Sequence, residues 1–230
     1  ALANIGQRQG ARRRVLDHAS RSQLTRPGFN CLRVALSFDG FGREKEVRQL
    51  LDSFEEVTTG QISSNILLVY GYSGIGKSSL INELHKPLVR DKGYFISGKF
   101  DQFKRNIPYS SLIQAFQQLI LTLLTEPEEK VTYWKNSILK VLGQKGQIII
   151  DVIPELQNLI GPQLSVPELP PAENQNRFKK LFLDLINVFA KKSHPLILFL
   201  DDLQWADLPT LLLLESILLN PETQYLLVIG

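Results

Sequence analysis

The segment GYSGIGKS at residues 71–78 fits the pattern G-x-x-x-x-G-K-[ST] and follows a short apolar run, Ile66–Tyr70. The run is typical of a buried strand, and the residues after the segment have the pattern of a helix. In that setting glycines let successive backbone N–H groups point into one concavity, which binds phosphate oxygens. The amino end of the following helix adds positive charge. The segment therefore predicts a phosphate-binding loop for a nucleoside triphosphate.

Two side chains of this loop have separate tasks. Lys77 supplies a point charge for the β- and γ-phosphates, and the Ser78 hydroxyl is a ligand for Mg²⁺. We therefore predict ATP with Mg²⁺ as the bound species. The predicted nucleotide-binding residues of the loop are Gly71, Tyr72, Ser73, Gly74, Ile75, Gly76, Lys77, Ser78 and Ser79.

A second acidic site is needed for the metal, and Leu196–Asp202 (LILFLDD) supplies it as an apolar strand that ends in two acids. Since parallel strands end at one edge of a sheet, Asp201 is predicted to reach the Mg²⁺ shell. Asp202 is predicted to orient or deprotonate the attacking water, with Lys77 as the other catalytic residue. The alternative is that the two acids simply open a surface turn.

Two absent motifs and the second of the two acids narrow the class of nucleotide-binding protein. The chain has neither the N-K-x-D motif that reads guanine in switch-type GTPases nor the L-S-G-G-Q signature of transporter ATPases. An acid directly after the metal carboxylate is typical of ATPases with an extra strand between the P-loop strand and the acidic strand. Residues 93–100 (GYFISGKF) are one candidate for that strand.

The apolar pattern alternates between strands and helices along the chain, which predicts βαβ units and a mostly parallel sheet. Predicted strands are residues 66–70, 93–100, 196–200 and 225–229, and predicted helices are residues 44–54, 78–90, 109–124, 130–142, 147–160 (interrupted at Pro154), 173–191 and 208–219. Four prolines make residues 162–172 an extended connector. The fold class is thus a three-layer α/β P-loop NTPase with a mostly parallel central sheet flanked by helices.

The chain has 230 residues, and its net charge of +3 conceals an asymmetry. Residues 1–33 contain seven arginines and a single acid, Asp17. We interpret residues 1–36 as a basic, poorly ordered leader and residues 37–230 as the ATPase domain. A nucleic-acid or membrane-binding arm is the alternative, but Phe29 is the only aromatic residue among the arginines and no groove-reading motif accompanies them, so nucleic acid is not expected as a partner.

Composition also bears on the compartment. A lone cysteine, Cys31, cannot form an internal disulfide, and no apolar run is long enough to span a bilayer. The cytoplasm is therefore the expected location. The three histidines, His18, His85 and His194, have no metal-ligand spacing.

Three segments together resemble the AAA-like ATPase module of STAND regulators: residues 41–44 (FGRE), 71–81 (GYSGIGKSSLI) and 199–207 (FLDDLQWAD). The likeness is greatest to large bacterial, especially cyanobacterial, signalling proteins, and residues 99–119 and 167–178 strengthen it. In those proteins a serine/threonine kinase domain precedes the module, and sensor and histidine-kinase domains follow it. The resemblance covers roughly residues 38–230 and implies flanking kinase or sensor domains as partners.

The resemblance also implies further roles. It places the G-R-E segment beside the adenine, which makes Arg43 and Glu44 candidates for the base pocket; a charged first turn of the helix is the equal alternative. Trp205 either packs in the core or faces a partner domain, and Asp207 is a candidate cap for the next helix.

The resemblance further implies a polar γ-phosphate sensor, a helical lid and effector modules beyond Gly230. The chain has no methionine and stops directly after a strand-like run, so we expect a fragment that is truncated at the C-terminus and hydrolyses ATP slowly. The expected function is therefore an ATP-binding regulatory module that acts as a conformational switch. Two alternatives are a non-catalytic nucleotide-binding module and a small-molecule kinase with Lys104 and Arg105 near the acceptor.

Overall fold

A computed structural model of the chain describes residues 34–37, 43–70, 74, 76–81, 93–103 and 107–230. Of residues 34–37, 43–46, 49, 65 and 70 it describes the backbone alone. The predicted leader lies almost wholly outside this part of the chain. The predicted boundary between residues 36 and 37 falls within the first strand, and the division into a leader and a domain stays a prediction.

Strands and helices alternate along the described chain much as the apolar pattern predicts. The strands are β1 (Val34–Ser37), β2 (Ser64–Tyr70), β3 (Tyr94–Lys99), β4 (Leu196–Asp201) and β5 (Leu226–Ile229). The helices are α1 (Arg43–Thr58), α2 (Ser110–Leu123), α3 (Glu128–Leu142), α4 (Gly146–Ile150), α5 (Leu156–Ile160), α6 (Pro171–Phe189) and α7 (Leu208–Leu218). Residues 77–81 are also helical, and the remainder of the helix predicted over residues 78–90 lies outside the described residues.

The described strands form one sheet in which every neighbouring pair is parallel, in the order β1-β2-β5-β4-β3. The carboxyl ends of β2 and β4 therefore lie at the same edge of the sheet, with β5 between them. This confirms the predicted α/β fold class with a parallel sheet flanked by helices.

The strand between the P-loop strand and the acidic strand is β5, so the assignment of residues 93–100 to that position is wrong. β3 lies at an edge of the described sheet and pairs with β4 alone. The burial of the two strands explains the difference. All four residues of β5 are buried, as expected for a central strand covered on both faces, whereas β3 is only partly buried and ends in the exposed Lys99. Order along the chain does not determine position across the sheet.

Two apolar layers cover the two faces of the sheet. In β4, Leu196, Leu198 and Leu200 pack in the larger cluster, which is built mostly from α2 to α7, while Ile197 and Phe199 face the smaller one. The smaller cluster contains Leu50 of α1 and the pair Leu80 and Ile81. The period of two along β4 is the reason for the three-layer arrangement. Leu80 and Ile81 of the helical residues 77–81 pack in the smaller cluster with Ile197 and Phe199, which holds that helix against one face of the sheet.

The proline-rich connector joins α5 to α6, and residues 161–170 have no regular structure. The helix begins at Pro171 rather than at Glu173, because proline is well suited to the first helical position. Arg177 donates two hydrogen bonds of 3.1 Å to the carbonyl of Pro167, and Asn174 donates one of 2.7 Å to that of Leu169. These bonds hold the end of the connector against the start of α6.

Strand β3 and helix α2 approach each other closely at Gly98. A Cβ atom at that position would lie 1.9 Å from the carbonyl oxygen of Ser111. The Lys99 amide next to it donates a 3.1 Å hydrogen bond to the Gln114 side chain. Glycine is thus required at the point where β3 delivers Lys99 to the carboxyl edge of the sheet.

Candidate functional site

The segment predicted to bind phosphate follows β2 in the chain and precedes the helical residues 77–81. Gly74 has φ 80° and Gly76 has φ 94°, a region that favours glycine. The Leu80 amide donates a 3.0 Å hydrogen bond to the Gly76 carbonyl, so the helix begins at the end of the loop. Of the loop residues predicted to bind nucleotide, Gly71, Tyr72, Ser73 and Ile75 lie outside the described residues.

Ser78 and Asp201 meet across the sheet, although 123 residues separate them in sequence. The Ser78 hydroxyl lies 2.9 Å from Oδ1 and 3.0 Å from Oδ2 of Asp201, and both side chains are partly buried. The helix after β2 positions the serine, and the carboxyl end of β4 positions the aspartate. The two residues predicted to be metal ligands are therefore brought together. Ser79, the next residue along the helix, is exposed.

Asp202 begins the turn that follows β4. Its φ is 58°, in the left-handed region that aspartate and asparagine tolerate better than most residues. Its amide donates a 3.0 Å hydrogen bond to Oδ1 of Asp201, and Gln204 Nε2 donates one of 2.8 Å to Oδ1 of Asp202. A short 3₁₀ turn, Leu203–Trp205, follows. The turn therefore places two carboxylates side by side at the edge of the sheet.

Lys99 joins this site from the neighbouring strand, a position for which the sequence alone predicted no role. It is paired with Asp201 in the β3–β4 register. Its Nζ lies 3.8 Å from Oδ2 of Asp201 and 3.5 Å from Oδ2 of Asp202. A lysine at the carboxyl end of a predicted parallel strand was the available signal, but its use requires the strand order. Gln204 was missed for a similar reason, since its contact depends on the turn at Asp202.

Arg43 and Glu44 lie in the first turn of α1. Their side chains are outside the described part of the structure, so their place in a base pocket stays a prediction. Trp205 is partly buried and packs against the larger apolar cluster. Asp207 caps α7, since its carboxylate accepts a 2.8 Å hydrogen bond from the Thr210 amide and one of 2.7 Å from the Thr210 hydroxyl. The predicted capping role of Asp207 is confirmed.

A second polar cluster lies at the opposite, amino end of β3. The Tyr94 hydroxyl donates a 3.2 Å hydrogen bond to Oε1 of Glu126, and the Trp134 ring packs edge-on against Tyr94 with centroids 5.7 Å apart. Burial, reinforced by the Glu126 carboxylate, raises the pKa of Tyr94 above its ordinary value. The ring of His194 completes the cluster, 4.8 Å from Trp134. Its contacts indicate a structural role away from the phosphate loop.

The side-chain oxygen atoms of Ser78 and Asp201 fit the requirements of Mg²⁺, which prefers hard oxygen donors. Within the described residues, no group of three or more His, Cys, Asp or Glu side chains has the arrangement of a metal centre. In nucleotide sites Mg²⁺ is usually bound by one or two protein oxygens together with waters and phosphates. A structural zinc centre would need four closely placed ligands.

None of the helices in the described part of the chain is long and apolar enough to cross a membrane.

Most of the chain matches a known protein family, and parts of it are similar to named proteins. Residues 41–229 match the family described as AAA ATPase domain. The chain is 39% identical over 175 residues to a protein of Dictyostelium discoideum named hybrid signal transduction histidine kinase G, a match that covers 76% of this chain and 5% of that protein. No solved structure matches the chain.

Two fungal proteins are more distant relatives. Histidine protein kinase 1 of Candida albicans is 25% identical over 175 residues, which cover 69% of this chain and 7% of that protein. The peroxide stress-activated histidine kinase mak2 of Schizosaccharomyces pombe is 25% identical over 190 residues, which cover 74% of this chain and 8% of that protein. The matched region is thus a small part of each of these relatives.

Proposed function

Because the chain belongs to the AAA ATPase domain family, we propose that it is a regulatory P-loop module that binds ATP with Mg²⁺ and hydrolyses it slowly as a conformational switch. The observation that carries the proposal is the contact of Ser78 with Asp201, at 2.9 and 3.0 Å. This contact joins the end of the phosphate loop to the end of the acidic strand. It is the arrangement that a magnesium-dependent nucleotide site requires.

Each residue has a distinct task in this proposal. The loop amides and Lys77 hold the phosphates, and Ser78 and Asp201 hold the metal. Mg²⁺, when bound, supplies positive charge beside the β- and γ-phosphates. Asp202 orients a water molecule and accepts its proton, and its place directly after Asp201 brings that carboxylate to the same edge of the sheet.

The setting in which the switch works is inferred from the relatives. The three relatives are named as histidine kinases, and the chain spans about 5–8% of their lengths. We infer that the module is linked to kinase or sensor domains of a signalling protein, in the manner of STAND regulators. In that role nucleotide binding, rather than rapid turnover, would carry the signal.

One observation favours a second candidate function, a nucleotide-binding module without catalysis. Both oxygens of the Asp202 carboxylate are engaged, one with Gln204 at 2.8 Å and the other with Lys99 at 3.5 Å. A carboxylate held in this way is less available to accept a proton from water. In this second candidate the switch depends on binding and release of nucleotide alone.

The test is calorimetric titration of the chain with ATP, with Mg²⁺ and with EDTA, followed by a phosphate-release assay under saturating ATP. The proposal expects binding that Mg²⁺ strengthens, weaker competition by GTP, and turnover well below about 1 s⁻¹, the low end of typical enzymes. Binding without phosphate release would favour the non-catalytic module. Absence of ATP binding by the folded chain would refute both functions.

A further inference from the structure

Lys99, Asp201 and Asp202 form a charged cluster at the carboxyl edge of the sheet. The ammonium lies 3.8 Å from Asp201 and 3.5 Å from Asp202, and in both cases the nearer carboxylate oxygen is Oδ2. The Asp202 amide contacts the other oxygen of Asp201 at 3.0 Å, so the two acids are adjacent. The Lys99 ammonium thus forms ion pairs with two carboxylates that repel each other.

The placement of Lys99 follows from the backbone. Residue 99 is the last of β3 and is in register with Asp201. Its amide is held by Gln114 at 3.1 Å, and the close packing at Gly98 fixes the strand against α2. The strand end is therefore rigid, while the lysine side chain, 65% exposed, reaches the acids from solvent. The ammonium can leave without any change in the core.

Two different cations would interact with the Asp201 carboxylate: the Lys99 ammonium and a bound divalent metal ion. Its Oδ2 accepts a hydrogen bond from Ser78 at 3.0 Å and lies next to Lys99 Nζ at 3.8 Å. A divalent cation bound by the same serine and aspartate would place two further positive charges beside that ammonium. Like charges at such separation repel, and the repulsion is greater where the carboxylate is partly shielded from water, as Asp201 is at 24% exposure.

We propose that Lys99 is the built-in counter-ion of the acid pair when no nucleotide is bound, and that the divalent cation must displace its ammonium from Asp201. Lys99 thereby raises the Mg²⁺ concentration that nucleotide binding requires. The inference rests on the proposed function, because it presumes a Mg²⁺-dependent nucleotide site at Ser78 and Asp201. After displacement, Asp202 remains available to Lys99 as an ion-pair partner.

A different role for Lys99 predicts the opposite effect. If the lysine bound a phosphate of the nucleotide, its removal would weaken binding even at saturating Mg²⁺. If it is a competing counter-ion, its removal lowers the Mg²⁺ concentration needed and does not weaken binding at saturation. Two measurements therefore separate the roles: the half-saturating Mg²⁺ concentration and the nucleotide affinity at saturating Mg²⁺.

The experiment titrates ADP into the chain by calorimetry at a series of Mg²⁺ concentrations. The variants are Lys99→Met, which removes the charge, and Lys99→Arg, which keeps it. Lys135→Met is the matched control, because this exposed lysine of α3 follows Trp134, which contacts Tyr94 at the opposite end of β3. Thermal unfolding of every variant checks that the fold is intact.

We expect Lys99→Met to lower the half-saturating Mg²⁺ concentration roughly two- to five-fold, the range for an exposed ion pair. Lys99→Arg and Lys135→Met should behave as wild type. An unchanged midpoint in Lys99→Met, or weaker ADP binding at saturating Mg²⁺, overturns the inference while leaving the proposed function standing. Failure of the wild-type chain to bind ADP with Mg²⁺ overturns the inference, and the titration with ATP then decides whether the proposed function stands.

Discussion

The chemistry of the site depends on a few side chains that different elements bring to one edge of the sheet. Ser78 comes from the helix after β2, Asp201 from the end of β4, and Lys99 from the end of β3. None of these positions is unusual alone. Distances of 2.9 Å between Ser78 and Asp201 and 3.8 Å between Lys99 and Asp201 show that the three side chains interact directly.

Lys77→Ala tests the phosphate cradle. The substitution removes the charge that faces the β- and γ-phosphates, so ATP affinity should fall by roughly 2–3 kcal/mol, which corresponds to roughly 30- to 150-fold. Calorimetric titration with Mg²⁺ measures the change. Lys180→Ala, at an exposed position on α6, is the control and should bind as wild type. Equal affinity in the folded Lys77→Ala variant would disprove the assignment.

Asp202→Asn tests the proposed base. Asparagine tolerates the φ of 58° at this position, so the turn should be preserved while the proton-accepting charge is lost. We expect phosphate release to fall below detection with little change in ATP affinity, since Ser78 and Asp201 are untouched. The measurements are phosphate release and nucleotide titration on the same preparation.

Two outcomes would contradict this prediction. Loss of ATP binding in Asp202→Asn would place Asp202 among the metal ligands instead. Phosphate release at the wild-type rate would show that another group accepts the proton.

At the scale of elements, the sheet determines which residues can meet. The central strands β4 and β5 are buried almost throughout, and their alternate residues face opposite layers. Both apolar layers therefore restrain the end of β4, where Asp201 lies. Strand β3 is different, because it packs against β4 on one side and is tied to α2 by the close approach at Gly98.

Gly98→Ala tests this close approach. The added Cβ would lie 1.9 Å from the Ser111 carbonyl oxygen, and a backbone atom cannot move aside without shifting α2 or β3. The free energy of unfolding should fall by about 1–3 kcal/mol, which is typical of overpacking. Chemical denaturation measures it. Gly146→Ala is the control, because the three atoms nearest its Cβ would all belong to the Gln163 side chain, at 3.0 to 3.2 Å.

The control should be neutral or slightly stabilising, since alanine suits a helix better than glycine does. Unfolding of Gly98→Ala at the wild-type denaturant concentration would show that β3 and α2 separate easily.

The sequence predicted the individual helices and strands well, because burial of one face gives the apolar residues of each element a regular spacing. The apolar run at residues 196–200 and the interruption of helix at Pro154 were both readable, and the structure has β4 at the first and a break between α4 and α5 at the second. The contact of Ser78 with Asp201 was predicted for a similar reason, because both residues stand in short motifs, while their roles toward a nucleotide and a metal stay predictions. No comparable sequence pattern specifies which strands are neighbours in the sheet. For that reason β3 was placed wrongly and Lys99 received no role.

At the scale of the whole molecule, the proposed nucleotide site joins the parts of the fold. The helix that begins at Lys77 packs Leu80 and Ile81 into the smaller apolar layer. The turn after β4 packs Leu203 and Trp205 against the larger layer. A ligand held between Lys77 and Asp201 would therefore restrain elements on both faces of the sheet. Binding and global stability are expected to be coupled.

Because of this coupling, MgATP should raise the thermal stability of the whole chain. A ligand that binds only the folded state at 100 times its dissociation constant stabilises it by about 2.7 kcal/mol. For a domain of this size each kcal/mol corresponds to roughly 2–4 °C, so the midpoint should rise by roughly 5–10 °C. Differential scanning calorimetry of wild type with and without MgATP measures the shift. Lys77→Ala at the same ATP concentration should lose most of it, because a roughly 30- to 150-fold weaker site leaves ATP at only about 0.7 to 3 times the dissociation constant, which stabilises the fold by about 0.3–0.9 kcal/mol. A single transition that shifts as a unit would show that both layers respond to the ligand. Two transitions, of which one ignores MgATP, would show that the layers unfold independently and would contradict the proposed coupling.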